Sequence, residues 1–556
     1  MSLLLTTALQ AATICGKNAA YAGSHVTKSC SDLSWLDTGD NAWQLTAATL
    51  VGLMSVPALA VLYAGLVPKK WVVNTMMMAF TGFSAVLLVW VLWGYKMGFG
   101  SPLGGGSANS YHYHYGGNFF ANFFNNFVGH PETMLRGSSQ TSQASLPIGT
   151  PVPLQMPTTA LAYFQFVFAA ITPLLFLGSV IGRIKFKVWL VFVPLWCTFV
   201  YTVNAMLMWG GGYWAHEGAL DYSGGYVIHL AAGTTGFVAA AVIGPRLARD
   251  RAKAVPHNLS LVAIGAGILW LGWNGFNGGD PYFASADAAT AVLNTNLAAA
   301  TALLTWVVWD MFVGAAKKPT FLGAVNGMIV GLVAITPCAG YISGTGALWV
   351  GAIASSIVWL SWTYFSKVRF MRKVDDAMGV FHTHGVAGLA GGLLVGIFAD
   401  PNVIVYRSSG GSPVSFRGWL YGDRHQFFLQ LFAALTIIVY DALMTFVILK
   451  IIGLFTPLRM PDDELEVGDL AVHDEEAYPA DEGFTRIGVL ASAGAGRDRG
   501  RPSPEPSAEP AGGTASGGER PAVSSGASSD AESGARRDPG LSGGLPEPGT
   551  PAGDAR

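Results

Sequence analysis

Apolar stretches of about 20 residues, divided by short polar breaks, recur along the first 455 positions of this chain. Eleven stand at about 43–66, 71–95, 158–182, 188–209, 224–244, 259–277, 289–312, 320–338, 346–365, 380–399 and 427–455. Each is apolar all round rather than along one stripe, which predicts helices surrounded by lipid or by other helices. The expected fold is an all-α polytopic membrane protein with eleven transmembrane helices. Composition agrees. Of 556 residues, 51% are hydrophobic and 12% charged, half the roughly 25% charged of a soluble domain. The net charge of −2 points to no partner, and no basic cluster suggests nucleic acid.

The charges are bunched between these stretches, and the number of basic residues alternates from break to break. Fifteen lysines and arginines follow the odd-numbered stretches: Lys69 and Lys70, three from Arg183, four from Arg246, Lys317 and Lys318, and four from Lys367. The even-numbered breaks hold Arg136, Arg407, Arg417 and Arg424, with Lys96 at a border. The positive-inside rule places the N-terminus outside and the C-terminus in the cytoplasm. Four segments result: an extracellular extension (1–42), the membrane domain (43–456), an acidic segment able to fold against the cytoplasmic face (457–492), and a Gly/Pro/Ser/Ala tail (493–556) expected to be disordered. Residues 1–14 lack the basic start of a signal peptide, which favours a plain extension. Cys15 and Cys30 are candidates for a disulfide if that end is extracellular, whereas Cys197 and Cys338 fall in apolar spans as small core residues. The break at 98–157 carries Tyr111-His-Tyr-His-Tyr115, read as an exposed aromatic loop rather than a metal site.

Within this apolar background one pattern occurs twice. Asp221-Tyr-Ser-Gly-Gly-Tyr-Val-Ile-His229 and Asp376-Ala-Met-Gly-Val-Phe-His-Thr-His384 both place a histidine eight residues after an aspartate. Glycines follow each histidine by four and seven, Gly233 and Gly236 in one copy and Gly388 and Gly391 in the other. On a helix these form a stripe without side chains, where a second helix can approach closely. Ala170-Ile-Thr-Pro173 likewise recurs as Ala334-Ile-Thr-Pro337. Both repeats are offset by five spans. An odd offset reverses orientation, so an inverted five-helix repeat is expected, with its site near the midplane.

Eight residues at 1.5 Å carry each histidine about 12 Å into a core about 30 Å thick, from opposite faces. The two rings are therefore expected to meet. A lone membrane histidine is most simply a neutral helix–helix hydrogen-bond donor; a converging pair is a functional-site candidate. The aspartates serve as helix N-caps on the bland reading, which does not exclude a second role. Phe164 and Phe168 share a helix face, Trp209 precedes Gly210-Gly-Gly212, and Trp273 precedes Phe276. Taken alone, these aromatics read as packing and interfacial anchors. Beside an aspartate, aromatic rings also hold small cations.

Four stretches together resemble a known family: Asp221…His229, Gly272-Trp-Asn-Gly-Phe-Asn277, Leu293-Asn-Thr-Asn-Leu-Ala298 and Asp375-Asp376…His384-Gly-Val. They are similar to the ammonium transporter/methylammonium permease/Rhesus family, and Gly278-Gly-Asp-Pro281 is similar to the second subfamily of plant ammonium transporters. The resemblance spans about 43–480 and implies a plasma-membrane homotrimer for nitrogen uptake, passing ammonium, ammonia and methylammonium, with no cofactor and no enzymatic activity. It implies an outer vestibule of Trp209, Phe164, Asp221 and Asp280, a gate of Phe168 and Phe276, and a pore lined by His229, His384 and Trp273. The family often has serine at the position of Asp280, so the vestibule chemistry differs there. Two other readings stand beside transport: an ammonium sensor signalling through its tail, and a metalloenzyme using His229, His382 and His384, which lacks any HExxH-type pair.

Overall fold

The computed structural model describes residues 34–103, 125–146, 152–252, 255–407 and 413–479. Cys15, Cys30, the Tyr111–Tyr115 loop and the tail from 493 lie outside them.

Among the described residues ten helices are long and apolar enough to cross a membrane. They are α1 (Thr38–Leu66), α2 (Lys69–Phe99), α3 (Thr158–Val180), α4 (Phe186–Glu217) and α5 (Gly225–Ile243), then α6 (Leu259–Gly278), α7 (Ala286–Phe312), α9 (Gly344–Lys367), α10 (Phe381–Phe398) and α11 (His425–Gly453). The chain is a multi-pass membrane protein. The eighth apolar stretch forms α8 (Phe321–Ile335), of only 15 residues. At 1.5 Å per residue it reaches about 22 Å, short of a bilayer core. It gives way to a run of turns from Thr336, with Pro337 just past its end. The matching Pro173 lies inside α3, which runs on to Val180.

The architecture is mostly helical, with two short ribbons in the connections. Gln143–Leu146 (β1) pairs antiparallel with Val152–Pro157 (β2), and Tyr406–Arg407 (β3) with Pro413–Val414 (β4). Connections lying over apolar helices must satisfy their own backbone groups, and two-stranded ribbons do so.

α3, α5 and α10 occupy the centre. In α3, 94% of the most apolar window is buried, against 33% in the peripheral α11. α5 and α10 cross where the glycine stripes predicted a close approach. A Cβ on Gly233 would strike the backbone of Gly385, and one on Gly388 would come within 2.6 Å of the Gly225 carbonyl. Larger residues there would force the helices apart.

The entries to these helices are tied crosswise. Tyr222 N–H donates to the Pro337 carbonyl just after α8, and Ala377 N–H donates to Ser179 in α3, both at 3.3 Å. Asp375 clamps Arg246 at 2.7 Å, while Asp376 accepts the N–H groups of Val380 (3.1 Å) and Phe381 (2.8 Å) and caps α10. Cys197 and Cys338 are buried and unpaired, as expected of small core residues.

Past Pro457 the chain folds back against the Lys/Arg-bearing loops as α12 (Asp462–Val467) and α13 (Asp469–His473). Lys70 Nζ donates to the Leu465 carbonyl at 2.7 Å, and the Asp469 carboxylate accepts Val73 and Asn74 N–H, each at 2.8 Å. Orphan donors at the start of α2 are thereby satisfied by a distant segment.

Candidate functional site

A cavity of about 270 Å³ opens at one end of the central helices, lined by Trp209, Asp221, Tyr222, Asp280, Tyr282 and Tyr341 among others. Trp209 ends the regular part of α4, and its indole N–H donates to the Asp221 carbonyl at 2.7 Å. That bond fixes the ring at the cavity wall. The Asp221 carboxylate faces the start of α5, accepting N–H from Gly224 (3.1 Å), Tyr226 (3.0 Å) and Val227 (3.0 Å). Burial pushes its pKa up to about 6, and those backbone donors hold it from rising further. Asp280 has Ser223 as a hydrogen-bond partner and no helix N-terminus; burial carries it well above the usual carboxylate range. Phe164 is fully buried one layer behind the wall, 4.6 Å from Phe168 and edge-on to the lining Tyr282 at 6.1 Å, centroid to centroid.

Beneath the cavity four rings stack in file. Phe168 and Phe276 lie 4.3 Å apart at 27°, Phe276 and His229 5.9 Å at 27°, and His229 and His384 5.4 Å at 19°. Phe168 also meets Trp209 edge-on at 6.3 Å, joining file to cavity. Trp273 flanks His229 at 5.4 Å and is held by its N–H bond to Thr336 Oγ1 at 2.9 Å. The His229 and His384 Nδ1 atoms are 3.3 Å apart, so one donates while the other accepts. His229 Nε2 is buried with no hydrogen-bond partner.

Past His384 a small cavity of about 50 Å³ is lined by Tyr63, Trp273, Asn326, Met378, Thr383 and His384. It shares Leu66, Asn326 and Met378 with a cavity of about 180 Å³ that Arg246 and Asp250 also line. Two open ends thus flank one apolar constriction. Among the described residues no three His, Cys, Asp or Glu side chains gather as metal ligands. His382 hydrogen-bonds Ser361 through Nδ1 at 2.8 Å.

Residues 42–478 match the family model described as Ammonium Transporter Family. The chain belongs to the ammonium transporter family. It is 46% identical over 467 residues to ammonium transporter 3 member 2 of Oryza sativa subsp. japonica, covering 83% of this chain and 93% of the relative. It is 46% identical over 453 residues to ammonium transporter 2 of Arabidopsis thaliana, covering 80% and 89%. The crystal structure of Saccharomyces cerevisiae Mep2 superposes with a TM-score of 0.64 at 30% identity, covering 78% of this chain and 90% of that one.

In this ammonium transporter family member, Trp209, Asp221 and Asp280 share the large cavity, and Phe168, Phe276, His229, Trp273 and His384 form the constriction. Sequence reasoning missed three participants. Ser223 stands inside the first Asp–His motif, and Tyr282 follows Asp280 by two residues. Thr336, the partner of Trp273, belongs to the repeated Ile-Thr-Pro motif.

Proposed function

We propose that this protein is an ammonium transporter that recruits the cation at Trp209, strips its proton, and passes ammonia between Phe168 and Phe276 to His229 and His384. The observation that carries the reading is the stacked file of two phenylalanines and two histidines beneath an aromatic, acid-lined cavity. Ring faces attract a small cation, worth about 0.5–2 kcal/mol. Past the phenylalanines a charged species has no solvent, whereas neutral ammonia loses little. Potassium cannot shed a proton, so the apolar file rejects it. The histidine nitrogens offer a donor and an acceptor to the passing molecule.

The crosswise bonds at Tyr222 and Ala377 support an inverted five-helix repeat, with α8 as one of eleven passes. The lysine and arginine distribution supports an N-terminus outside and a C-terminus in the cytoplasm. Membership in the family supports a plasma-membrane homotrimer with one path per subunit, and methylammonium as a further substrate. Uptake of labelled ammonium into vesicles, with excess potassium, tests the reading. His229→Ala and His384→Ala should each lower selective uptake by about tenfold or more; normal selective transport in both would sink it.

A second reading, an ammonium sensor, draws on the contacts of Lys70 and Asp469 with the acidic segment. Truncation after residue 456 that leaves flux intact but removes a cellular ammonium response would favour it.

A further inference from the structure

Ser223 Oγ sits between two acceptors, the Phe276 carbonyl at 2.9 Å and the Asp280 carboxylate. A hydroxyl carries one proton. Unless that one proton is split in a weaker three-centre bond, both contacts are full hydrogen bonds when Asp280 brings a proton of its own. Asp280 O–H then donates to Ser223 Oγ, and Ser223 O–H donates to the Phe276 carbonyl. Asp221 is placed differently, since its three backbone N–H donors favour the ionised form. Four further groups bear on Asp280: Tyr282, which hydrogen-bonds its carboxylate and accepts from Gln165 Nε2 at 2.9 Å; Tyr222, which donates to Asp287 at 3.0 Å; Tyr201; and Asp221 itself. The described lining of the cavity contains no lysine or arginine to hold Asp280 ionised.

We propose that Asp280 is the group that takes the proton from ammonium, and that Ser223 couples its protonation to the backbone of the gating Phe276. This rests on the transport reading. An N–H bond of the cation breaks, its electron pair stays on nitrogen, and an O–H bond forms on Asp280. Ser223 turns its own proton from Asp280 to the Phe276 carbonyl. Neutral ammonia is left at the ring file, no longer held by the anion. Asp280 lines the large cavity, so its proton returns to water on that side. Burial supports this role by raising the carboxylate toward the basicity of an amine, and the nearby Asp221 charge adds to it against the opposing Ser223 and Tyr282 bonds.

The test is uptake of labelled ammonium by the full-length protein in vesicles, with Asp280→Asn, Asp280→Glu and Ser223→Ala. Asp280→Asn should lower the maximal rate by about 10²-fold or more while half-saturation shifts only a few-fold. The wild-type rate falls as acid protonates the acceptor, and Asp280→Asn should lose that fall. Asp280→Glu should recover much of the rate, and Ser223→Ala should lie between. If wild-type vesicles take up no ammonium, the transport reading fails. If they do, and Asp280→Asn keeps both rate and pH profile, this proposal fails alone. Should Asp280→Asn not fold, infrared difference spectra decide. Ammonium must raise a carboxylic-acid carbonyl band in the wild type that moves in Asp280→Glu; an unmoved or missing band overturns the assignment.

Discussion

His229 and His384 face one another through Nδ1, 3.3 Å apart, with ring planes 19° from parallel. Two nitrogens that share one hydrogen bond must hold opposite tautomers, so neither ring sets its own protonation. The single substitutions should therefore not add. His229→Ala and His384→Ala are each expected to lower ammonium flux by at least tenfold, and the double variant to be little worse than either. A double-mutant cycle on uptake rates should return a coupling of about 0.5–3 kcal/mol. Strict additivity would show the rings acting independently.

The tight face of the constriction is the Phe168–Phe276 pair at 4.3 Å. Removing one ring opens a path for water, and hydrated ions follow water. Phe276→Ala should admit a potassium current absent from the wild type, read electrically in planar bilayers. It should also lower stability by about 3–5 kcal/mol through the cavity left in a fully buried site.

Asp221 closes the start of α5 with three backbone bonds. Asp221→Ala leaves those donors buried without partners and should cost about 1–3 kcal/mol. Asp221→Asn keeps one acceptor oxygen and should cost less. Thermal unfolding in detergent orders the variants; an Asn variant as unstable as Ala would show that charge, rather than capping, is what matters.

The docked acidic segment should respond to pH through two groups of opposite sign. Burial pushes Asp469 up to about 6, so between its ordinary value of 3.8 and about 6 the docked state binds the proton more tightly, and acid favours docking. Burial lowers His473, so the released segment binds its proton more readily, and acid favours release. Asp469→Asn removes the first contribution and leaves the second. Limited proteolysis of residues 462–478 at pH 7.5 and pH 5.5 should show the variant loosening on acidification more than the wild type. The reverse order would contradict the assignment.

Much of this arrangement was legible before the structure. Asp221 and Asp376 each cap the helix that follows, and the equal eight-residue spacing pairs His229 with His384, although the helices begin only at Gly225 and Phe381 and each histidine lies near its helix start. Composition and run length were enough to place every apolar stretch on a helix, α8 included. What stayed hidden depended on neighbours distant in sequence. Ser223 looks like a turn residue until α6 brings Phe276 and Asp280 beside it, 53 and 57 residues along the chain. Thr336 reads as a helix-end hydroxyl until Trp273 reaches it across 63 residues. The aromatic Phe164 was placed in the vestibule by resemblance; packing sets it behind Tyr282, a distinction of depth that spacing along one helix does not encode.

The crosswise bonds at Tyr222 and Ala377 carry a consequence for how this chain comes into being. The entry to the helix bearing His229 is tied to Pro337, and the entry to the one bearing His384 to Ser179, so the seat of each histidine draws on a distant stretch of the chain. On the proposed inverted repeat, each half completes the other across the loop between α5 and α6. Cut in that loop, each fragment should be inert and short-lived alone. Expressed together they should find one another in the bilayer and restore flux, for the same reason that subunits of an obligate complex do.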